Sequence, residues 1–481
     1  MNIFDVIIIG GGVVGAAIAR ELSRYTLRIA LLEKEEELSF GVSKSNSGII
    51  HPGTQNPPHS LKGKLCVQGN LLMRKVAQEL GVDFKEVGEL IVVFNEKDVS
   101  QLEKIKKDAE QLGVPQLQIV RQNWLAKNEP NLSKTAVAAL YAPTAGIISP
   151  YRLVYDLSEN AVRNGVTIHL LSKVENIVSS YQSNKSLFEI HTNKGTFKTR
   201  YCVNAAGLFA DDIAQLMGIN DFTITPRKGE EFILDKKKHY ITNHLLFPLP
   251  QKTSKGILVI KTADGNPMIG PTAYDSDDKE DVSTSGQGLR DVISAAQQMI
   301  PAIQKEDIIA YFAGLRPVAG DDFIIRHEKN TPGCITVAGI QSPGLTAAPS
   351  IAVMVSHLLK ENGLLLKKKI RFRKYRSKTT HLFAIPFSKT KKLIKKEAAY
   401  GDIVCRCEMV SAKEVHDAID RGAVTLDGIK FRTRAGAGRC HGGFCTTRIM
   451  KMLSQHLQKP LIAITKKGEG SEVIKEERSV D

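Results

Sequence analysis

No stretch of this 481-residue chain approaches the roughly 18 to 20 consecutive apolar residues that a membrane-spanning helix needs. The first strand begins near residue 3, which leaves no room for a signal peptide, so we expect a cytoplasmic protein. No nucleic-acid-binding motif accompanies the net charge of +15, and we expect no nucleic acid partner. Because hydrophobic residues make up 42% of the chain and charged residues 24%, a globular protein of two or three domains is expected.

Acidic residues are absent from Lys367 to Lys396, a segment that carries thirteen lysines and arginines. Such a run is typical of a solvated linker, and we expect a basic linker over residues 363–398. Two other uses of the charge stay open. One is peripheral association with the inner face of a membrane, and the other is binding of an acidic partner.

Cysteine is scarce before residue 400, where Cys66, Cys202 and Cys334 stand singly and are expected to be inert core thiols. The other four cysteines lie in the last eighty residues of the sequence. Without a secretory signal a disulfide framework is not expected, and this group of cysteines indicates metal binding instead.

The first fifty residues contain a strand, a glycine turn, a helix and a second strand. The apolar run Val6 to Ile9 leads directly into Gly10, Gly12 and Gly15, which have G-x-G-x-x-G spacing. This pattern permits a tight turn, close approach of a pyrophosphate and close packing of helix on strand. Glu33 ends the second strand, where a carboxylate can accept hydrogen bonds from a ribose diol. The pattern predicts a bound dinucleotide and leaves NAD and FAD open.

Later segments carry a family resemblance. The segments GGGVVGAAIARELS, SNSGIIHPG, VNAAGLFADDIA, AGLRP and GIQSPGLTAAPSIA occur in that order within residues 1 to about 362. This part resembles the FAD-dependent oxidoreductase family that includes D-amino-acid oxidase, glycerol-3-phosphate dehydrogenase and L-2-hydroxyglutarate dehydrogenase. The resemblance implies an α/β FAD-binding domain, Rossmann-like and of the glutathione-reductase type. It also implies an inserted α+β substrate domain, at about 84–140 and 220–310.

The same resemblance implies FAD as the cofactor and a set of residues around it. The ADP part would be held by Gly10, Gly12, Gly15 and Glu33, with Val174 by the adenine and Gly207 by the pyrophosphate. Ser47 and Gly48 would lie by the isoalloxazine ring. Gly339 is also expected to bind the cofactor, and its turn leads to Gly344 and Leu345, whose backbone N–H groups would face the flavin N1–C2=O edge.

The clustered cysteines are Cys405, Cys407, Cys440 and Cys445, in C-x-C and C-x4-C pairs. Four thiolates suit zinc or a [2Fe–2S] cluster, and an empty site is the third alternative. The segment resembles the BFD-like [2Fe–2S] domain, in the version fused behind the FAD domain in the large subunit of anaerobic glycerol-3-phosphate dehydrogenase. We therefore expect a small iron–sulfur domain over residues 399–464, with a capping box at Ser411 and Glu414. A disordered polar tail is expected over 465–481.

The substrate side needs an anion clamp and a base. Arg316 is the candidate clamp, because a guanidinium binds carboxylate or phosphate through two hydrogen bonds. His51 is the candidate base, and Lys228 a weaker second anion contact. Lys62 and Lys64 are further candidates. Each of the first two candidates also has a purely structural alternative: an ion pair for Arg316 and a packing role for His51.

Three functions remain at this point. The first is an FAD-dependent glycerol-3-phosphate dehydrogenase that passes electrons through the cluster to a second redox subunit or a quinone. The second is a dehydrogenase of an L-2-hydroxy acid such as L-2-hydroxyglutarate. The third is a non-catalytic electron-transfer subunit. In either enzyme the substrate is expected to be a small anionic hydroxy compound.

Overall fold

The computed structural model describes residues 3–182, 185–251, 255–376 and 379–476. Its strands are β1 Phe4–Ile9, β2 Ile29–Leu32, β3 Ile49–Ile50, β4 Lys85–Glu86, β5 Glu89–Val93, β6 Gln118–Arg121, β7 Ala138–Ala142, β8 Gly146–Ile147, β9 Val166–His169, β10 Val174–Gln182, β11 Lys185–Thr192, β12 Gly195–Asn204, β13 Thr225–Leu234, β14 Leu245–Phe247, β15 Leu258–Lys261, β16 Pro267–Gly270, β17 Tyr274–Asp275, β18 Ile308–Val318, β19 Ile324–His327, β20 Cys334–Ala338, β21 Ile403–Cys405 and β22 Val410–Ser411. Its α-helices are α1 Val13–Leu22, α2 Leu61–Leu80, α3 Val99–Gln111, α4 Gln122–Asn128, α5 Pro150–Arg163, α6 Ala210–Gln215, α7 Gly286–Met299, α8 Gly344–Glu361, α9 Phe387–Lys396, α10 Ala412–Asp420, α11 Leu426–Thr433 and α12 Thr446–Leu457.

The first sheet has the order β10-β11-β12-β1-β2-β9, with β20 paired to β12 and β19 to β20. Its central strand β1 pairs in parallel with both β2 and β12. Val6, Ile7 and Ile8 are fully buried, as expected for a parallel strand covered on both faces. Helix α1 packs against α5 and α8 on one of these faces. The first glycine turn therefore lies at the carboxyl end of the central strand.

The second sheet has the order β17-β13-β16-β15-β14-β5-β7-β6, with β18 paired to β13. Its strands come from residues 89–142 and 225–318, so the sheet reaches slightly beyond the insertion ends expected at 140 and 310. The Asp264–Gly265 turn joins β15 to β16 in an antiparallel hairpin. Val292 and Ala296 of α7 are fully buried against one face of this sheet.

A third unit begins with β21 and β22 and has its own apolar core. Val415, Ile429 and Leu453, from three successive helices, are fully buried there. The expected capping box is present, since the Ser411 side chain accepts from the Glu414 backbone and Glu414 accepts from the Ser411 backbone. This unit holds all four clustered cysteines.

The description of residues 363–398 as a solvated linker is wrong for its first part. The carbonyl of Lys367 accepts from Thr26 N–H, and Arg376 N–H donates to Glu79 O. The Arg376 side chain is only 6% exposed and pairs with Asp156 and Glu159 at 3.0 and 2.7 Å. Charge runs are solvated unless acids lie opposite them, and α5 supplies those acids here.

The expectation of a disordered tail is also wrong for residues 465–476. Thr465 O and Lys466 O accept backbone hydrogen bonds from Leu426 and Asp427. Thr465 also forms an isolated antiparallel β-bridge with Glu472. The segment thus closes over the start of α11. The last part of the expected tail, residues 477–481, lies outside the described residues.

Candidate active site

A cavity of about 1140 Å³ runs between the two large sheets. At one end it is lined by the glycine turn after β1, and at the other by His51, Lys255 and Arg316. Ligand sites of this size are common where a sheet edge meets a second domain. The cavity therefore joins the predicted cofactor turn to the predicted substrate residues.

Glycine is required at the turn between β1 and α1. Gly10 has φ +114°, and a Cβ there would lie 2.4 Å from the carbonyl oxygen of Ala205. A Cβ on Gly15 would lie 1.9 Å from the Gly10 carbonyl oxygen, so this residue lets α1 approach the turn. Gly10 and Gly12 line the cavity, whereas Gly15 supports it from behind.

Glu33, Val174 and Gly207 line the same end of the cavity. The Glu33 carboxylate accepts backbone N–H groups of Gly11 at 2.7 Å and of Glu35 at 2.9 Å. Burial raises the pKa of this carboxyl, while the two backbone hydrogen bonds oppose the shift. Each carboxylate oxygen keeps a lone pair for a further donor.

Four residues expected near a flavin ring also line the cavity. They are Ser47, Gly48, Gly344 and Leu345. Gly48 has φ +69°, and a Cβ there would lie 2.3 Å from the carbonyl oxygen of Ile148. Helix α8 begins at Gly344, so the positive end of its dipole faces the cavity, while the Gly344 N–H itself donates to the Gln341 carbonyl at 2.6 Å.

Arg316 lies on β18, directly opposite Arg227 of β13. Its guanidinium donates to the Thr272 carbonyl at 3.3 and 3.4 Å and interacts with the carboxylate of Glu231. Burial raises the pKa of Glu231 to about 7, although Arg316 opposes the shift. The Oε2 atom of Glu231 has no hydrogen-bond partner within the described residues. The guanidinium is thus held in place without using all of its hydrogen-bond donors.

His51 follows β3 and is 9% exposed. Its Nδ1 lies 3.5 Å from Lys255 Nζ and 3.8 Å from Glu89 Oε2, and its Nε2 lies 3.3 Å from Ser342 Oγ. Burial, reinforced by the Lys255 ammonium, lowers the pKa of His51 to about 4 although Glu89 opposes this. The imidazole is therefore neutral at pH 7 and able to accept a proton.

The four cysteines pair across the two loops that hold them. The sulfur of Cys407 lies 3.4 Å from that of Cys440, and Cys405 pairs with Cys445. The hydrogen bond from Cys445 lowers the pKa of Cys405 to about 6, with help from the backbone N–H of Gly436. Neighbours in sequence are therefore not the partners in space. In the described part of the chain, no group of three or more His, Cys, Asp or Glu side chains is arranged to hold a single metal ion.

Comparison with known proteins places this geometry in a family. Residues 5–358 match the family described as "FAD dependent oxidoreductase", and residues 403–455 match the "BFD-like [2Fe-2S] binding domain". The chain belongs to the FAD dependent oxidoreductase family. Its fold class, with a C-terminal BFD-like domain, is as expected from the sequence. The exact domain ends stay a prediction.

Three relatives illustrate the range of the likeness. The "Glycerol 3-phosphate dehydrogenase" of Caloramator mitchellensis is 40% identical over 474 residues, 98% of each chain. The "L-2-hydroxyglutarate dehydrogenase" of Indibacter alkaliphilus is 30% identical over 395 residues, covering 72% of this chain and 96% of that one. A structure of L-alpha-glycerophosphate oxidase from Mycoplasma pneumoniae with FAD bound has a TM-score of 0.74 and 33% identity, covering 78% of this chain and 99% of that one.

The cavity fits the FAD of this family. Gly207 lines the cavity and a Cβ there would meet no atom within 4 Å, so space is left open beside it, and the buried amide of Gln55 has no hydrogen-bond partner among the described residues although it lines the cavity. FAD is therefore the cofactor, and NAD as the tightly bound dinucleotide is set aside. The four thiols of the BFD-like domain, in two close pairs, fit a [2Fe–2S] cluster, which replaces the zinc and empty-site alternatives.

Several predicted substrate residues lie elsewhere. Lys228 is absent from the cavity lining and pairs with Asp281 at 2.5 Å. Its neighbours Arg227 and Gly229 line the cavity instead, because successive residues of a strand face opposite sides. Lys62 lines the cavity, whereas Lys64 is exposed outside it. Gly339, which was predicted to bind the cofactor, also lies off the cavity, in a turn with φ +66°.

Two residues of the candidate site were missed by the sequence reasoning. Lys255 and Glu89 flank His51, and burial lowers the pKa of Lys255 while Glu89 opposes the shift. No motif marks either residue, since Glu89 opens a strand and Lys255 precedes one. A buried acid at the start of an apolar strand was the available signal. Separately, no helix in the described ranges has both the length and the hydropathy that crossing a bilayer takes.

Proposed function

We propose that this enzyme oxidises sn-glycerol 3-phosphate to dihydroxyacetone phosphate and passes the electrons through its [2Fe–2S] cluster. The observation that carries the proposal is that Arg316 and a neutral His51 line one end of the FAD cavity. A relative that matches over 98% of both chains is named a glycerol 3-phosphate dehydrogenase, and this supports the choice of substrate.

The residues that would hold FAD follow the cavity from end to end. The ADP part would be held by Gly10, Gly12, Glu33, Val174 and Gly207, with Gly15 bringing α1 close. The flavin would be bordered by Ser47, Gly48, Gly344 and Leu345. Bound FAD supplies the acceptor for the two electrons and the C2 hydrogen, and the cluster supplies a one-electron carrier.

Arg316 would bind the phosphate of the substrate through its planar fork. Thr272 and Glu231 fix the guanidinium, so little side-chain freedom is lost when the anion binds. Lys255 replaces Lys228 as the second cation, because it lines the cavity and Lys228 does not. The two cations would orient the C2 hydroxyl toward His51.

His51 would take the proton of the C2 hydroxyl on its imidazole as the C2 hydrogen leaves. The low pKa keeps the ring neutral before the reaction, and the carboxylate of Glu89 at 3.8 Å stabilises the ring once it is protonated. General-base assistance of this type contributes roughly 10²- to 10⁴-fold to the rate.

The second candidate is oxidation of an L-2-hydroxy acid such as L-2-hydroxyglutarate. A guanidinium clamp binds a carboxylate in the same geometry as a phosphate, so Arg316 serves either substrate. The relative named L-2-hydroxyglutarate dehydrogenase supports this reading at lower identity. The third function, a non-catalytic carrier, is set aside by membership of an oxidoreductase family.

The electron acceptor would be a separate redox partner. Peripheral membrane binding is a second element of the proposal, and helix α9 is its candidate surface, with five lysines beside a Phe387 that is 82% exposed. Sedimentation with anionic and with zwitterionic vesicles tests this, and equal or no binding to both would exclude it.

Anaerobic mixing of the holoenzyme with each substrate tests the function. We expect sn-glycerol 3-phosphate to bleach the flavin absorption and L-2-hydroxyglutarate to leave it unchanged. The reverse pattern would select the second candidate, and no bleaching by either would refute both.

A further inference from the structure

The BFD-like domain exposes one edge of its cysteine site. Cys405 and Cys445 are each 1% exposed, whereas Cys407 is exposed and Cys440 half-buried. Because the Cys407 and Cys440 sulfurs lie 3.4 Å apart, the loops Cys405–Met409 and Gly438–Cys445 meet at this edge. The cluster would therefore approach the protein surface between these two loops.

Each loop presents a large apolar side chain at that edge. Phe444, next to Cys445, is 87% exposed, and Met409, two residues after Cys407, is 41% exposed. Met409 and His441 have φ +55° and +50°, a strained conformation for residues with a side chain. Exposed apolar groups held on a constrained backbone are typical of a binding surface. We call Arg406, Cys407, Met409, Arg439 and Phe444 the Phe444 face.

The rim of the Phe444 face is positively charged. Lys236 and Lys237 join it, because Lys236 pairs with Glu408 and Arg439 pairs with Asp235. Both acids are largely shielded from solvent, since the Glu408 side chain is 3% exposed and that of Asp235 is 14% exposed. Arg406 and Lys237 are exposed, and within the described ranges neither side chain forms an ion pair with an acid, although the Lys237 backbone N–H donates to Asp235.

We infer that the Phe444 face docks a small acidic electron-carrier protein. One electron passes from the reduced cluster to the oxidised carrier, and no bond or proton changes place. The Phe444 face has an apolar centre and a basic rim, which is complementary to an acidic surface around a solvent-exposed redox centre. A second copy of this chain is a poorer fit, because it would bring two positively charged rims together. The inference rests on the proposed relay through the cluster and names the surface that it uses.

The test uses the holoenzyme with an acidic plant-type ferredoxin as the probe and basic cytochrome c as its opposite. Titration calorimetry measures binding. Stopped-flow mixing of reduced ferredoxin with the oxidised enzyme measures electron transfer across the same surface. We expect Phe444→Ala and Arg406→Glu each to weaken ferredoxin binding by about tenfold or more, since a central aromatic and a rim charge are removed. Binding should also weaken as salt is raised.

Two variants on helix α9, outside the Phe444 face as defined, are the controls. Phe387→Ala removes an equally exposed phenylalanine, and Lys391→Glu makes the same kind of charge change on α9. Both should leave ferredoxin binding unchanged. The inference would be overturned if all four variants lost ferredoxin binding equally or if none of them lost it. It would also be overturned if the enzyme bound cytochrome c more tightly than ferredoxin. Flavin bleaching by substrate, measured in the same proteins, reports separately on the proposed function.

Discussion

Arg432 of α11 donates to Glu37 at 2.8 Å, and the two side chains are 8% and 0% exposed. Glu37 lies four residues after Glu33, in the loop at the cofactor end of the cavity, whereas Arg432 belongs to the BFD-like domain. The guanidinium also lies 3.8 Å from the centroid of the Tyr155 ring. A buried ion pair thus joins the cluster domain to the FAD domain, and the two redox sites are held in a fixed relation.

Replacement of Glu37 should loosen this junction. Glu37→Gln leaves the buried Arg432 without its counter-charge, which typically costs about 3–5 kcal/mol. Urea titration should show the cluster absorption lost at a lower urea concentration than in the parent. Glu189→Gln, in a partly exposed pair with Lys198, is the control and should change little. Equal midpoints for Glu37→Gln and the parent would contradict the assignment.

His51 gives a prediction on pH. Its pKa falls from 6.5 in the unfolded chain to about 4 in the folded one. Between these values the unfolded chain binds more protons, so stability is full above pH 6.5 and falls as the pH drops toward 4. The loss amounts to about 3 kcal/mol, at 1.36 kcal/mol for each pH unit.

Unfolding free energies of the parent and of His51→Asn, measured from pH 7 to pH 4, check this. The variant lacks the titrating ring, so its stability should fall less over the same range. Identical pH dependence in the two proteins would show that His51 titrates normally.

The pH profile of activity gives a second check. Protonation of His51 should not reduce the activity of the parent enzyme above about pH 5, because the ring stays neutral there.

Arg316→Lys tests the anion clamp. The lysine keeps the charge and loses the planar fork, so kcat/KM should fall roughly 10- to 100-fold with flavin content unchanged. Arg326→Lys, in an ion pair with Asp221 at the surface, is the matched control and should keep full activity. An unchanged kcat/KM in Arg316→Lys would give Arg316 a structural role only.

Cys440→Ser tests the cluster. Iron and the visible absorption of the cluster should be lost, while FAD stays bound, because the FAD domain has its own core. Substrate should still bleach the flavin once, and a small dye that reaches the flavin should still be reduced. Cys202→Ala removes a fully buried thiol of β12 and should retain iron. Iron retained in Cys440→Ser, or zinc in the parent, would refute the ligand assignment.

The sequence by itself determined the parts whose chemistry is local. A strand, three glycines and a helix specify the dinucleotide turn within a few residues, because the turn needs φ +114° at Gly10 and no side chain at Gly15, where a Cβ would strike the Gly10 carbonyl oxygen. Two short cysteine motifs likewise predict a four-thiolate metal site, since all the ligands come from two loops, and the resemblance to a BFD-like domain selected the [2Fe–2S] cluster over zinc. Family resemblance then supplied Ser47 and Gly344, and the chemistry of anion binding supplied Arg316; all three line the cavity.

Only the tertiary structure decided which distant residues meet. Lys255 and Glu89 approach His51 from the second sheet, and strand alternation turns Lys228 away from the cavity while Arg227 lines it. Arg432 and Glu37 are 395 residues apart in sequence, and no local pattern links them. The physical reason is that burial and charge partners shift a pKa or fix a side chain, and for these residues the partners come from remote strands and helices.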